Sequence, residues 1–110
     1  MENTTIQSIE EKIRSNPSLS GDNKGELLSQ LAKLKTEIAK LSETKPDEAQ
    51  NIVSHIDRST DEALKEAKDP GLFKKLTDEL SDSVREFEVS HPKLVEDINY
   101  IASSLANMGI

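Results

Sequence analysis

Large aliphatic residues recur along the chain at intervals of three and four, the period of a helix buried on one face, and almost nowhere at the two-residue interval of a strand. The spacing predicts a first helix from about Thr4 to Ser15, with Ile6, Ile9 and Ile13 on one face and Thr4 and Gln7 at capping-box spacing. Asn16-Pro17 stops it, because a residue before proline is pushed out of the helical region. A short loop with one apolar anchor, Leu19, leads to a second helix capped by Ser20 or Asp22. Its residues Leu27, Leu31, Leu34, Ile38 and Leu41 alternate steps of four and three, a coiled-coil-like seam. The seam covers only about two heptads, too few for an isolated coiled coil, so it must pack on other helices of this chain or a partner.

Proline and glycine divide the remainder. Thr44-Lys45-Pro46-Asp47 breaks the seam and opens a third helix over about 46–68, with Thr44 and Asp47 as candidate caps. Ala49, Ile52, Val53 and Ile56 give it a good start, but beyond Ile56 the stripe thins to Ala63, Leu64 and Ala67 among acidic residues. Such a helix has little to bury and is expected to be more exposed than its neighbours. Asp69 caps a fourth helix, about 70–88, with Pro70 at its first position and Phe73, Leu76, Leu80, Val84 and Phe87 on one face. Val89-Ser90-His91-Pro92 makes a corner in which Ser90 is a candidate cap, with Val89 and Leu94 as a hydrophobic staple. The fifth helix, about 91–108, carries Leu94, Ile98, Ile101, Leu105 and Met108, and Gly109 sits at its C-cap. Short connections favour antiparallel neighbours. The expected fold is therefore all-α: one domain over 1–110, an up-and-down antiparallel bundle of four to five helices with the second, fourth and fifth supplying most of the core.

Composition narrows the function. The hydrophobic share of 34% is lean, yet it is arranged in stripes rather than dispersed as in a disordered chain. Cysteine is absent, which excludes disulfides, thiol catalysis and cysteine-ligated metals. Twenty-one acids against fourteen bases leave a formal charge of −7, which argues against a nucleic-acid or anionic-membrane surface. No secretion signal, lipidation pattern or spanning segment is visible, so the expected compartment is the cytoplasm.

Candidate chemistry is sparse. His55 has Asn51, Ile52, Arg58 and Ser59 at helical spacing, none of them a carboxylate, histidine or cysteine, so it reads as a boundary residue. His91 has Glu88 three positions before it, but the proline corner interrupts their helix and no second pair exists for a two-metal site. Asp78 and Asp82 are four apart, without the glycine-bearing loop of a specific calcium site. The four glycines are isolated, and no nucleophile elbow or basic-aromatic platform occurs. No catalytic residue, cofactor or metal is expected.

Phe87-Glu88-Val89-Ser90-His91-Pro92-Lys93-Leu94, followed by Leu105-Ala106-Asn107-Met108-Gly109-Ile110 at the end, resembles a small bacterial family of unknown function. Its members are short, acidic and helical, with an F-E-x-S-H-P-x-L corner and a terminal M-G-I. The likeness is clearest over 72–110 and looser over 5–41. Residues 47–68 find no counterpart in the shorter members, which marks the third helix as a candidate insertion. The family brings no activity, but the resemblance implies a structural or contact role for Phe87, Ser90, His91, Pro92, Met108 and Ile110. Two functions follow as expectations. The first is a non-enzymatic interaction or scaffolding protein that self-associates, or binds another helical protein, through aliphatic helix faces. The second is a small-ligand sensor or enzyme using Glu88 and His91 as an acid–base pair.

Overall fold

The computed structural model describes residues 2–17, 19, 21–65 and 69–109, with side chains for all of these except 2–4, 108 and 109. The helices are α1 (Glu2–Ser15), α2 (Gly21–Ser42), α3 (Pro46–Leu64), α4 (Pro70–Val84) and α5 (Pro92–Gly109), with a 3₁₀ turn, Arg85–Phe87, after α4. No strand occurs among the described residues.

Cross-helix contacts fix the directions. Near the end of α1, Lys24 Nζ of α2 donates to the Arg14 carbonyl at 3.1 Å, so α1 and α2 run antiparallel. Asn16, just past α1, reaches the Leu64 carbonyl at the end of α3, so α1 and α3 run parallel. A cleft lined by Asn23 and Asn107 and another lined by Thr36 and Lys93 make α5 antiparallel to α2. The bundle is thus up-and-down, as the short connections predict.

Helices α2, α3 and α5 pack on one another as a central triangle. Helix α1 lies in the groove between α2 and α3, and α4 in the groove between α3 and α5, so α3 touches all four other helices. This corrects the expectation of an exposed third helix and of a core built mainly on the second, fourth and fifth. Ala49, Ile52, Val53, Ile56, Ser59, Thr60, Glu62 and Ala63 are all buried. The physical reason is that four of these eight are alanine, serine or threonine. Small side chains let neighbouring helices approach closely, and a reading weighted toward large aliphatics undercounts them. Close packing leaves the buried Ser59 hydroxyl without a hydrogen-bond partner among the described residues.

The aliphatic stripes close inward within one chain. Ile6, Ile9 and Ile13 of α1, the five seam residues of α2, and Leu94, Ile98, Ile101 and Leu105 of α5 are each at most 1% exposed. Each such side chain contributes roughly 1.5–3 kcal/mol through removal from water. Helix α1 is also pinned by polar contacts. Lys12 Nζ sits 2.8 Å from both Asp57 and Asp61 of α3, and these partners, Asp57 first, raise its pKa above 10.5. Lys35 of α2 pairs with the buried Glu10 at 2.8 Å.

Several helix ends differ from the sequence reading. Helix α1 begins at Glu2, which places Thr4 inside it rather than at the cap. Helix α2 begins at Gly21, so Asp22 falls in its first turn, and Ser20 lies outside the described residues. Lys45 precedes α3 with no side-chain cap, while the Thr44 hydroxyl donates back to the Leu41 carbonyl at 3.4 Å. Asp69 caps α4 as predicted, accepting from the Leu72 N–H at 3.1 Å, with Pro70 at the first helical position. Buried Glu62 accepts from the Asp69 N–H at 3.0 Å and from Lys65 Nζ at 2.9 Å, tying the end of α3 to the start of α4.

Two predictions follow from α3. Ile56→Ala should lower stability by about 2–5 kcal/mol in urea unfolding, because it hollows the shared core, whereas Leu72→Ala on the exposed side of α4 should change it by less than about 0.5 kcal/mol. Equal effects would mean that α3 is peripheral. The Asp69 N–H, then Lys65, hold the Glu62 pKa below its ordinary 4.5, so its contribution is present above that pH and is lost as pH falls through the lowered native value. Glu62→Gln should therefore lower Tm at neutral pH, and the gap from the parent protein should close as pH falls through the native value.

Candidate functional site

The α4–α5 corner is built around Phe87 and His91. Phe87 is buried, and its ring meets the His91 ring edge to face, centroids 5.9 Å apart at 89°. The His91 N–H donates to the Phe87 carbonyl at 2.8 Å, closing the turn, and the His91 carbonyl accepts from the Val95 N–H at 3.3 Å. His91 thus occupies the cap position with Pro92 first in the helix. Ser90 Oγ lies 3.0 Å from His91 Nδ1, so the predicted serine cap is replaced by a contact to the histidine ring. The predicted staple does not form: Leu94 is buried, but Val89 is 94% exposed and meets nothing.

The other corner residues face outward. Pro92 is exposed, and Glu88 stands in solvent with no hydrogen bond or ion pair to His91 among the described residues. None of the three clefts described below is lined by either Glu88 or His91. The acid–base pair of the alternative reading is therefore not assembled. Helix α5 separates Pro92 from Met108 by sixteen residues, about 24 Å of helix. The Met108 side chain and Ile110 lie outside the described residues.

The remaining sequence candidates are occupied locally. His55 Nδ1 is 3.2 Å from the Arg58 guanidinium, and burial first, then Arg58, lowers the His55 pKa below 6.5. A neutral ring accepting from arginine fits both observations. Asp78 pairs with Lys74 at 2.9 Å and Asp82 with Arg85 at 2.7 Å, so these aspartates neutralise their own helix rather than share an ion. No group of three potential metal ligands converges among the described residues. No helix among them is long and apolar enough to cross a membrane.

Concavity gathers instead where α2 and α5 run side by side. Of the three grooves around the central triangle, α1 and α4 fill two, and no other helix among the described residues lies over the groove between α2 and α5. A cleft of about 180 Å³ at one end is lined by Asn23, Glu26, Tyr100, Ser103, Ser104 and Asn107. A larger one of about 410 Å³ at the other end is lined by Lys33, Thr36, Glu37, Lys93, Glu96 and Asp97. A third, of about 470 Å³ and the most voluminous of the three, lies between α1 and α2, beside Gln7 and Lys35.

Electrostatics distinguish the larger α2/α5 cleft. Glu37 is 9% exposed and among the described residues has only Lys40, 3.5 Å away, as an ion-pair partner. Asp97 is partly buried and makes no side-chain hydrogen bond or ion pair among the described residues. Burial first, then the Glu37 carboxylate, raises its pKa above the ordinary 3.8. Sequence reasoning missed this face, although a signal existed. Lys33-Thr36-Glu37 and Lys93-Glu96-Asp97 repeat the same i, i+3, i+4 spacing on two helices that turn out to be neighbours.

Asp97 yields a prediction opposite in sign to that for Glu62. Its native carboxyl holds a proton more tightly than the unfolded one, so it favours folding when protonated, and that contribution is lost as pH rises through the native value. Asp97→Asn should raise Tm at about pH 7 and leave it unchanged well below pH 3.8, as read by thermal melts across the range.

No curated protein and no solved structure matches the chain. Residues 27–110, a span that runs through α3 and omits α1, match the family described as Domain of unknown function (DUF4404), and the chain belongs to that family.

Proposed function

We propose that this protein is a non-enzymatic helical interaction module that meets another protein along the open α2/α5 groove. The observation that supports this reading most is the allocation of surfaces in the bundle. Two grooves of the central triangle are filled from within the chain, while the third carries two clefts lined by hydrogen-bonding and charged side chains. Tyr100, 39% exposed, stands on this face and supplies a rigid amphipathic side chain of the kind enriched where proteins meet. Self-association through the aliphatic stripes finds less support, because the stripe residues of α1, α2 and α5 with described side chains are buried within one chain, apart from the half-buried Leu28 and Val95.

Position-specific photo-crosslinking tests the reading. A benzoylphenylalanine at Tyr100 should yield one discrete protein adduct in the native cell, and the same group at Leu72, equally exposed at 40% but on α4, should not. Adducts of equal yield from both positions, or from neither, would remove the groove as the partner-facing side.

A further inference from the structure

Resting on that reading, we infer that the α2/α5 groove receives a lysine- or arginine-bearing segment of the partner, with a cationic head seated between Glu37 and Asp97. The lining decides the polarity of the occupant. An apolar helix face laid here would find Tyr100 as the only large exposed hydrophobic side chain of the groove among the described residues, and would strip water from carboxylates and amides without replacing their hydrogen bonds. A polar segment would restore those bonds.

The arrangement of charges decides the sign. Glu37, Glu96 and Asp97 face the larger cleft against Lys33 and Lys93, and Glu26 adds a fourth carboxylate in the smaller one. Lys33 and Lys93 act on Asp97 through space without forming an ion pair among the described residues, and their attraction does not outweigh burial and the Glu37 carboxylate, which still hold its pKa raised. Asp97 and Glu37 meet over the α2/α5 seam as two partly desolvated carboxylates, an unfavourable juxtaposition that an incoming guanidinium or ammonium group relieves. A formal charge of −7 steers a cationic segment toward the molecule, whereas a second copy would bring seven further negative charges.

The length of the groove decides the size of the occupant. From Asn23 to Thr36 the lining follows α2 for about 20 Å, so one ligand reaching both clefts is a stretch of chain rather than a small cation.

The probe is an oligolysine peptide titrated into the isotopically labelled full-length protein, followed by amide chemical shifts, with oligoglutamate and spermidine in parallel. Oligolysine should shift residues of α2 and α5 that line the two clefts, and oligoglutamate should shift none. The double variant Glu37→Gln, Asp97→Asn should bind oligolysine at least about tenfold more weakly, beyond the loss from screening two surface charges. A Tm at or above that of the parent shows that the variant is folded. Shifts spread evenly over Asp57, Asp61, Asp78, Glu79 and Asp82 would reduce the effect to attraction by net charge and overturn the inference. Unchanged affinity in the double variant, or the full shift pattern from spermidine alone, would overturn it as well. If the Tyr100 adduct persists undiminished in the double variant, the charge assignment falls while the interaction reading stands. Loss of the adduct in the parent protein removes the reading itself.

Discussion

Every other helix of this bundle leans on α3, and α3 admits them because much of its buried surface is small. Ala49, Ser59, Thr60 and Ala63 interleave with Ile52, Val53 and Ile56, so backbones come close where a uniformly large stripe would hold them apart. From this follows the arrangement of the rest. Three helices form the triangle, and the outer two fill the grooves beside α3. The side farthest from α3, between α2 and α5, is covered by no further helix among the described residues. The position of the candidate site is thus a by-product of which helix has the slimmest inner face.

Polar groups pin α1 to the middles of α2 and α3, and at the far side of the bundle they manage the helix ends. Glu62 and Asp69 join α3 to α4 through backbone N–H groups, and Phe87 and His91 fold the chain from α4 into α5. These are local devices with side chains aimed inward or at their own turn. That explains why the histidine at the corner reads as architecture: one face of its ring is on Phe87, Nδ1 is beside Ser90, and its carbonyl starts α5.

The helix count, the order of elements and the inward stripes of α1, α2 and α5 were legible because aliphatic spacing is a property of each helix alone. The rank of α3 was not, since small residues reveal their value only when another helix lies against them. The corner motif drew attention to Phe87 and His91, whose rings pack edge to face, while sixteen residues of α5 stand between Pro92 and Met108. The α2/α5 face escaped for a different reason. Its charges look like ordinary solvated positions on either helix, and they acquire meaning only when two distant segments are placed side by side, bringing Asp97 toward Glu37.

Helix α1 occupies a different rank from the others, because it rests on α2 and α3 and on neither α4 nor α5. Its fourteen residues are too few for an independent helix, so its order is borrowed from three isoleucines and the Lys12 and Glu10 pairs. Detaching it leaves the remaining four helices in contact with one another, and the free energy of that opening is smaller than that of global unfolding. Stability in this molecule is therefore layered: amide hydrogens of α1 should exchange with solvent ahead of those of α3, leaving the span shared with the family, beginning at Leu27, as the slower remainder.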